Sequence, residues 1–507
     1  MFKKLSLKGR FSKILVSSGT SIILKAVSFF CTFLLTKLII GSYGSEINGM
    51  IGSITQFLAL ITLLEGGVGG VARAALYKPL AQNDYARTQK IIAYLERFFR
   101  ILAFGFIAYA VCVASFFPIF SNNKFLFTFT LVLIISASIF CEYFFGMTYA
   151  ILLSADQKNY VSNIVTFIVT VLNFASCVIL IKLGFSIHVV KFVSVFVLAL
   201  RPILLACYCR KKYHLVKVKL NRKENLLPDK WSGFGVHVAY YLHRNTDTFL
   251  ITLFFSLSMV SVYSVYNMVI SGILTVIGSL SIGIESAFGN MYANKEYENL
   301  KNKFKLYVFY YQILCTFLLS ATFILILPFV KIYTSGFTDA NYYQPLFALV
   351  FVVSEFFYCL RVPYNDLMVA TNSFKKIRWG AYLEAIINIA VSAILMNVIG
   401  LVGVAIGTLC AMFFRLVHFL VFFKKHDLKL DVSWFVKITI VSFLTFALNF
   451  SFSRLLNFGP GASFASWSLY AVVVCVFDLM ICFLMYSLFC NRQIRELEQY
   501  IRGRITR

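Results

Sequence analysis

The sequence predicts an all-α integral membrane protein with about fourteen transmembrane helices. Three observations predict it. Of the 507 residues, 60% are hydrophobic and only 13% charged, with a mean hydropathy of +0.81. The apolar residues fall into runs about as long as a bilayer crossing. Lys and Arg gather in alternate connections between those runs. A soluble domain is nearer half apolar and a quarter charged, and no water-soluble fold could hide this much apolar surface.

A hydrocarbon core takes roughly 20 apolar residues per helix. The basic start (Lys3, Lys4, Lys8, Arg10, Lys13) leads into an apolar run at 14–40. That run is too long for a signal peptide and lacks a small-residue cleavage site, so it is read as a retained first span. Further runs follow at 48–75, 91–117, 125–153, 160–182 and 187–209. After a basic polar stretch come 233–255, 260–287, 304–331, 343–370, 378–398, 402–424, 432–453 and 466–490. The division expected is an N-lobe at 1–209, a cytoplasmic linker at 210–232, a second lobe at 233–424, and two further spans with a basic tail at 425–507.

Orientation follows from Lys and Arg. With the N-terminus inside, the inside connections carry Lys78, Arg87 and Lys90; Lys158; Arg210 to Lys230; Lys295 to Lys305; Lys375, Lys376 and Arg378; and Lys424, Lys425 and Lys429. The outside connections hold only Lys124, Lys331 and Arg454. Both ends are basic, which requires an even number of spans and puts both in the cytoplasm. The short outside turns leave no room for an extracytoplasmic domain.

Composition also excludes several functions. The net charge of +26 lies in short loops rather than on a basic face with interleaved aromatics, so no nucleic-acid partner is indicated. The 12 Cys lie almost all inside apolar runs. With no CxxC or Cys/His spacing, neither a metal site nor a disulfide framework is expected, and no cofactor is indicated.

The two halves echo each other. Ala81, Asp84 and Tyr85 superpose on Ala293, Glu296 and Tyr297 at one offset that also pairs Ile101-Leu102 with Ile313-Leu314. A second constant offset pairs Tyr149, Ala155 and Asn173 with Tyr364, Ala370 and Asn388. Six spans thus recur in the same order and orientation, leaving the last two outside. Parallel repeats of this kind place a transport site between two lobes.

Charges at mid-bilayer are costly and face a cavity or a partner. Lys37 and Lys437 lie near helix ends and can snorkel. The inner groups are Lys25, Glu65, Glu142, His237, His243, Arg244, Asp247, Glu355, Arg361, Glu384, Arg415, His418 and Asp478. Arg73 sits near a cytoplasmic span end. The cations Lys25, Arg244, Arg361, Arg415 and Arg73 suit either an anionic substrate or internal ion pairs. Glu65, Glu142, Asp247, Glu355 and Glu384 suit either ion coupling or charge pairing. Asp247 lies one turn from Arg244 and can neutralise it. The glycines after Glu65 (Gly66, Gly67, Gly69, Gly70) are read as a flexible joint or a close helix contact, with packing favoured.

The chain resembles the bacterial polysaccharide-transport (Wzx-type) flippases of the multidrug/oligosaccharidyl-lipid/polysaccharide (MOP) exporter superfamily. The residues that carry this are Gly41-Ser-Tyr-Gly-Ser-Glu-Ile-Asn48, Leu64-Glu-Gly-Gly-Val-Gly-Gly-Val-Ala-Arg73, Asn83-Asp-Tyr85, Asn245-Thr-Asp-Thr-Phe-Leu-Ile251 and Val262-Tyr-Ser-Val-Tyr266. The resemblance implies a MATE-like pair of pseudo-symmetric six-helix lobes around a cationic cavity, with two additional C-terminal helices. It implies flipping of an undecaprenyl-diphosphate-linked oligosaccharide, for capsule, O-antigen or exopolysaccharide, across a bacterial inner membrane. The partners implied are that lipid-linked glycan, the bilayer and other polysaccharide-assembly membrane proteins, with a monomer as default. Two other transport readings stand beside it: a cation-coupled multidrug exporter, and a flippase for a peptidoglycan or teichoic-acid lipid intermediate. The exporter reading expects an acid in the first span, where residues 14–40 hold none. A membrane enzyme would be expected to offer a large outer loop, which is missing.

Overall fold

A computed structural model of the chain describes residues 10–65, 68–216, 218, 226–227, 245–281, 283–425, 428–455, 461 and 463–491. Among these residues there is no strand, and twelve helices are long and apolar enough to cross a membrane. Two expected spans are not among these twelve, which are drawn from the described residues alone. Residues 48–75 are divided among α2 (Ser45–Ala59), the single turn α3 (Thr62–Glu65) and α4 (Val68–Ala81), with 66–67 outside the described residues. Of 233–255, only the helix at 245–254 (α10) is described. The expected count of fourteen is therefore approximate.

Cα packing divides the chain into two units. The first comprises Met1–Tyr241 with Thr252–Ser261. In it α1 (Arg10–Tyr43) packs on α8 (Asn159–Lys182), and α9 (Ile187–Lys212) packs on both α8 and α6 (Phe125–Cys141). α5 (Tyr85–Phe116) lies against α6, and α4 against α7 (Met147–Ala155). The helices enclose an apolar core in which Leu95, Phe99 and Phe106 of α5 meet Leu131 and Val132 of α6 and Leu152 of α7.

The second unit comprises Leu242–Ile251 with Val262–Arg507. It holds most of α11 (Leu257–Gly278), then α12 (Ile284–Ala293), α13 (Tyr297–Tyr333), α14 (Pro345–Ala370), α15 (Phe374–Ile399), α16 (Leu401–Lys425), α17 (Val432–Leu455) and α18 (Phe464–Phe489). α15 and α16 approach closely because α16 presents Gly407 to α15, where a Cβ would overlap the Ser392 hydroxyl. Small residues permit such contact between membrane helices, where no hydrophobic force drives them together. α17 and α18 pack on α13. There Phe309 and Tyr486 are buried with Ile438 and Val441, and Gln312 donates to the Ser442 hydroxyl at 2.9 Å.

The internal echo has a backbone counterpart. Asn83 and Lys295 both adopt left-handed conformations (φ 54° and 60°), each just before the acid that starts the next helix, Asp84 before α5 and Glu296 before α13. Asp84 caps α5 by accepting from the Arg87 amide at 2.9 Å, the usual service of an N-cap carboxylate. Gln157 and Asn372 (φ 56° and 51°) likewise follow Ala155 and Ala370 by two residues. The same left-handed turns thus recur at corresponding places in the two halves, in keeping with the pseudo-symmetry expected from the sequence.

Candidate functional site

Charged groups are buried inside each unit. In the second unit, α14, α15 and α16 bring together Arg361, Glu384 and Arg415. Arg361 Nη1 donates to Glu384 Oε1 at 2.5 Å, and Arg415 Nε lies 3.4 Å from Glu384 Oε2. Their exposures are 9%, 5% and 5%, so solvent screens these contacts little. Arg361 stacks over Tyr358, with its guanidinium carbon 4.9 Å from the ring centre, and Arg415 over Phe419 at 4.3 Å. Arg415 Nη1 also donates to the Ile377 carbonyl at 3.2 Å. Gly380 of α15 makes the room, since a Cβ there would touch Arg415 Nη1 and His418. The cluster therefore holds two guanidiniums on one carboxylate.

Asp247 of α10 is also buried in this unit. It accepts from the Thr408 hydroxyl at 2.9 Å and 3.1 Å and from the Tyr263 hydroxyl at 3.3 Å. Asn388 Nδ2 donates to Thr408 at 3.0 Å, while Asn388 Oδ1 is buried without a hydrogen-bond partner. Among the described residues no Lys or Arg pairs with Asp247. Its expected neutraliser, Arg244, lies outside the described residues, as do His237 and His243. Glu355 is half-buried on α14 and has a partner.

In the first unit, Glu142 opens a π-helical segment, Glu142–Gly146, between α6 and α7. Such wide turns are frequent at functional sites. Arg201 of α9 donates through Nη1 to Glu142 Oε1 at 2.6 Å and through Nε to Thr166 of α8 at 2.9 Å. Gly146 faces Pro202, where a Cβ would come within 2.6 Å of the proline Cβ. Glu65 accepts from the Tyr143 hydroxyl at 3.2 Å and lies within electrostatic reach of Glu142 and Arg73.

Lys25 is exposed on α1 among exposed Ile22, Ile23, Phe29 and Phe30, and Arg73 is exposed on α4. The structure thus joins Arg361, Arg415 and Glu384, and separately gathers Glu65 and Glu142. One expectation is corrected: a Cβ at Gly70 would meet nothing, and one at Gly69 only the Glu65 carboxylate. Those two glycines do not mark a close helix contact; Gly66 and Gly67 lie outside the described residues.

The sequence reading missed Arg201 and its support Thr166. The signal was present, because Arg201 lies inside the 187–209 run and meets the same mid-span criterion as the others. Tyr143, Asn388 and Thr408 carried no signal: neutral polar residues in an apolar run become informative only when packing shows what they face.

On the cytoplasmic side of the first unit by the expected topology, Tyr213 donates to Asp156 at 2.5 Å. Burial, with the Asp156 carboxylate next, holds its phenol well above the usual tyrosine range.

No protein-family model matches this sequence, and no curated protein sequence matches it. Solved structures do. The lipid II flippase MurJ in an inward closed conformation superposes with a TM-score of 0.70 at 14% identity, covering 95% of this chain and 100% of that one. An inward-facing multidrug resistance MATE transporter of the MOP superfamily gives 0.56 at 15% identity, covering 79% of this chain and 96% of that one. A MOP superfamily transporter from Pyrococcus furiosus, described as having a binding pocket of reversed polarity that suggests a different function, gives 0.59 at 14% identity, with coverages of 82% and 95%. These neighbours are transporters and flippases rather than enzymes, and this multi-pass, all-helical membrane chain has their MATE- and MurJ-like fold.

Proposed function

We propose that this chain is a flippase that moves an undecaprenyl-diphosphate-linked oligosaccharide from the inner to the outer leaflet of a bacterial inner membrane. The observation that carries the reading is the pair Arg361 and Arg415 sharing the single carboxylate of Glu384. One acid cannot neutralise two guanidiniums, so the cluster has a charge to offer a diphosphate, which Arg matches with paired donors. A drug cation would be repelled there. The MurJ likeness supports the same class, because it covers 95% of this chain where the MATE transporter covers 79%.

In this proposal lobes 1–209 and 233–424 rock about the linker 210–232, with both termini cytoplasmic. Lys25, Arg73 and Arg244 join Arg361 and Arg415 in receiving headgroups. Glu142 is a pairing group for Arg201, and Glu384 for the two arginines. Asp247, with hydroxyl and amide donors and no cationic partner among the described residues, is the candidate for ion coupling. Substrate capture shifts the population from inward-open to outward-open states. A second reading, a flippase for a peptidoglycan lipid intermediate, draws support from the MurJ likeness itself and uses the same diphosphate chemistry.

The test is flipping in proteoliposomes, comparing a lipid-linked oligosaccharide, a lipid-linked peptidoglycan precursor and bare undecaprenyl diphosphate. Wild type is expected to move the oligosaccharide. Folded Arg361→Ala and Arg415→Ala variants, and the Lys25→Ala/Arg244→Ala pair, are expected to lose it. Full activity in all of these variants would overturn the cationic site. Preference for the peptidoglycan precursor would select the second reading, and export of small cations without lipid flipping would overturn both.

A further inference from the structure

A second polar cluster lies away from these sites, where α17 and α18 meet α13. Asp478 of α18, Asn449 of α17 and Ser320 of α13 are 1%, 3% and 1% exposed. The Ser320 hydroxyl lies 2.7 Å and 2.6 Å from the two Asp478 carboxylate oxygens. Asn449 Nδ2 donates to Asp478 Oδ1 and, at 3.3 Å, reaches the Ser320 hydroxyl. The Cys482 thiol lies 3.5 Å from Asp478 Oδ1. Each of these groups can donate to the carboxylate. Among the described residues no cationic side chain pairs with it. Arg454, the last cation of α17, stacks on Phe450 with its guanidinium carbon 5.0 Å from the ring centre.

Two further facts point to a ligand. Asn449 Oδ1 is buried with no hydrogen-bond partner, although an orphaned amide oxygen is costly in hydrocarbon. A small, partly open cavity of about 10 Å³, room for one water or a small ion, is lined by Asn449 and Asp478 together with Ser453, Ile324 and Phe477. It leads toward Ser453, near the end of α17, whose hydroxyl donates to the Phe450 carbonyl at 2.7 Å and keeps its lone pairs available. The residues that carry a carboxylate without a cationic partner among the described residues, an unpartnered amide oxygen and a hydroxyl oxygen therefore line one small cavity inside a membrane protein. Hard oxygen donors with one negative charge suit a small monovalent cation.

We infer that Asp478 and Asn449, with Ser453 at the mouth, form a sodium site at the C-terminal helix pair. The carboxylate and the amide oxygen are the direct ligands, and water completes the shell. Ser320 is a positioning residue that holds the carboxylate from the opposite side. The site is distinct from Asp247 and does not depend on which lipid the protein moves. Its consequence is sodium-dependent stability of the packing of α17 and α18 on α13.

The experiment uses the full-length protein in nanodiscs, with radiolabelled sodium binding and thermal unfolding in sodium, potassium and choline chlorides. An Asp247→Asn background removes the other candidate site. In that background saturable sodium binding and a sodium-specific rise in Tm are expected to persist. Adding Asp478→Asn is expected to abolish both, and Asn449→Leu to weaken sodium affinity at least about tenfold. Should Asp478→Asn fail to fold, Asn449→Leu and Ser453→Ala carry the test, because both keep the Ser320 contact to Asp478. Unchanged sodium binding in the folded variants overturns the proposal. So does an infrared band of a protonated carboxyl, lost in Asp478→Asn and unaffected by sodium, which would make Asp478 a permanently neutral packing acid.

Discussion

Replacing Glu384 by Gln tests the charge arithmetic of the arginine cluster most directly. The substitution keeps the shape of the side chain and removes the carboxylate held by both Arg361 and Arg415. All three residues are at least nine-tenths buried, so neither guanidinium can recover its hydration without opening the bundle. Breaking a buried pair from one side costs about 3–5 kcal/mol, because a charge is left uncompensated. Arg415→Gln leaves the shorter Arg361–Glu384 contact of 2.5 Å intact. It removes a longer ion pair and one bond to the Ile377 carbonyl, for about 1–3 kcal/mol. The expected order of destabilisation is therefore Glu384→Gln, then Arg361→Gln, then Arg415→Gln. Unfolding rates in nanodiscs measure it without requiring reversibility. The same logic has a binding consequence. With Glu384 neutral, both arginines are free for an anion, so undecaprenyl diphosphate is expected to raise the Tm of Glu384→Gln more than that of wild type. A ligand at a hundredfold its Kd stabilises by about 2.7 kcal/mol, enough to restore much of the loss. Equal stability of Glu384→Gln and Arg415→Gln would refute the pairing. A Glu384→Gln variant that is destabilised yet gains nothing from the diphosphate would leave the cluster a structural ion pair and remove its role in capture.

Other expected outcomes follow from specific contacts. Gly407→Val sets a branched side chain onto Ser392 and is expected to lower Tm sharply through separation of α15 from α16, with a cost of about 1–3 kcal/mol or more for overpacking. Gly146→Ala meets Pro202 and is expected to impair transport and stability, with recovery in the Gly146→Ala/Pro202→Ala double variant; lack of any coupling in that cycle would count against close packing of the π-helical segment. Arg201→Gln is expected to destabilise the first unit, with a double-mutant coupling to Glu142→Gln of about 1 kcal/mol or more, measured by unfolding rates. Asp431 accepts from the Ser433 hydroxyl at 2.6 Å, which, with burial opposing weakly, holds its carboxyl below the usual aspartate value of 3.8. Its contribution is thus present above that value and lost as pH falls through the lower folded value; Asp431→Asn is expected to flatten the acid side of the stability profile and to change little at neutral pH.

Much of this molecule is legible along the chain because a bilayer imposes local rules. A crossing helix satisfies its own backbone and needs only apolar side chains, so the long spans can be read from hydropathy alone. The spans at 125–153, 160–182 and 432–453 match α6 through α7, α8 and α17 within a few residues. The doubled motifs around Asp84 and Glu296 are likewise local, since a turn with one left-handed residue before an acidic cap is encoded in a few positions. Reading fails where the rule is broken. The run at 48–75 looks continuous in hydropathy, yet its helix is interrupted after Ala59.

The ionisable residues show the same division. Their presence at mid-span is a property of sequence, and it marked Arg361, Glu384 and Arg415 for attention. Which groups meet depends on how each helix is rotated about its axis, and that is set by contacts between helices far apart in the chain. Gly380 and Gly407 bring α15 close enough to α16 for Arg415 to reach Glu384, whereas Lys25, on a helix with no acid, stays on an exposed face. Asp478 is the extreme case: along the chain it is a lone acid in an apolar run, and only the packing of α13, α17 and α18 surrounds it with Ser320 and Asn449. Hydropathy acts residue by residue and can be summed from the sequence. Neutralising a buried charge needs a partner within hydrogen-bond reach, and only the tertiary structure supplies that distance.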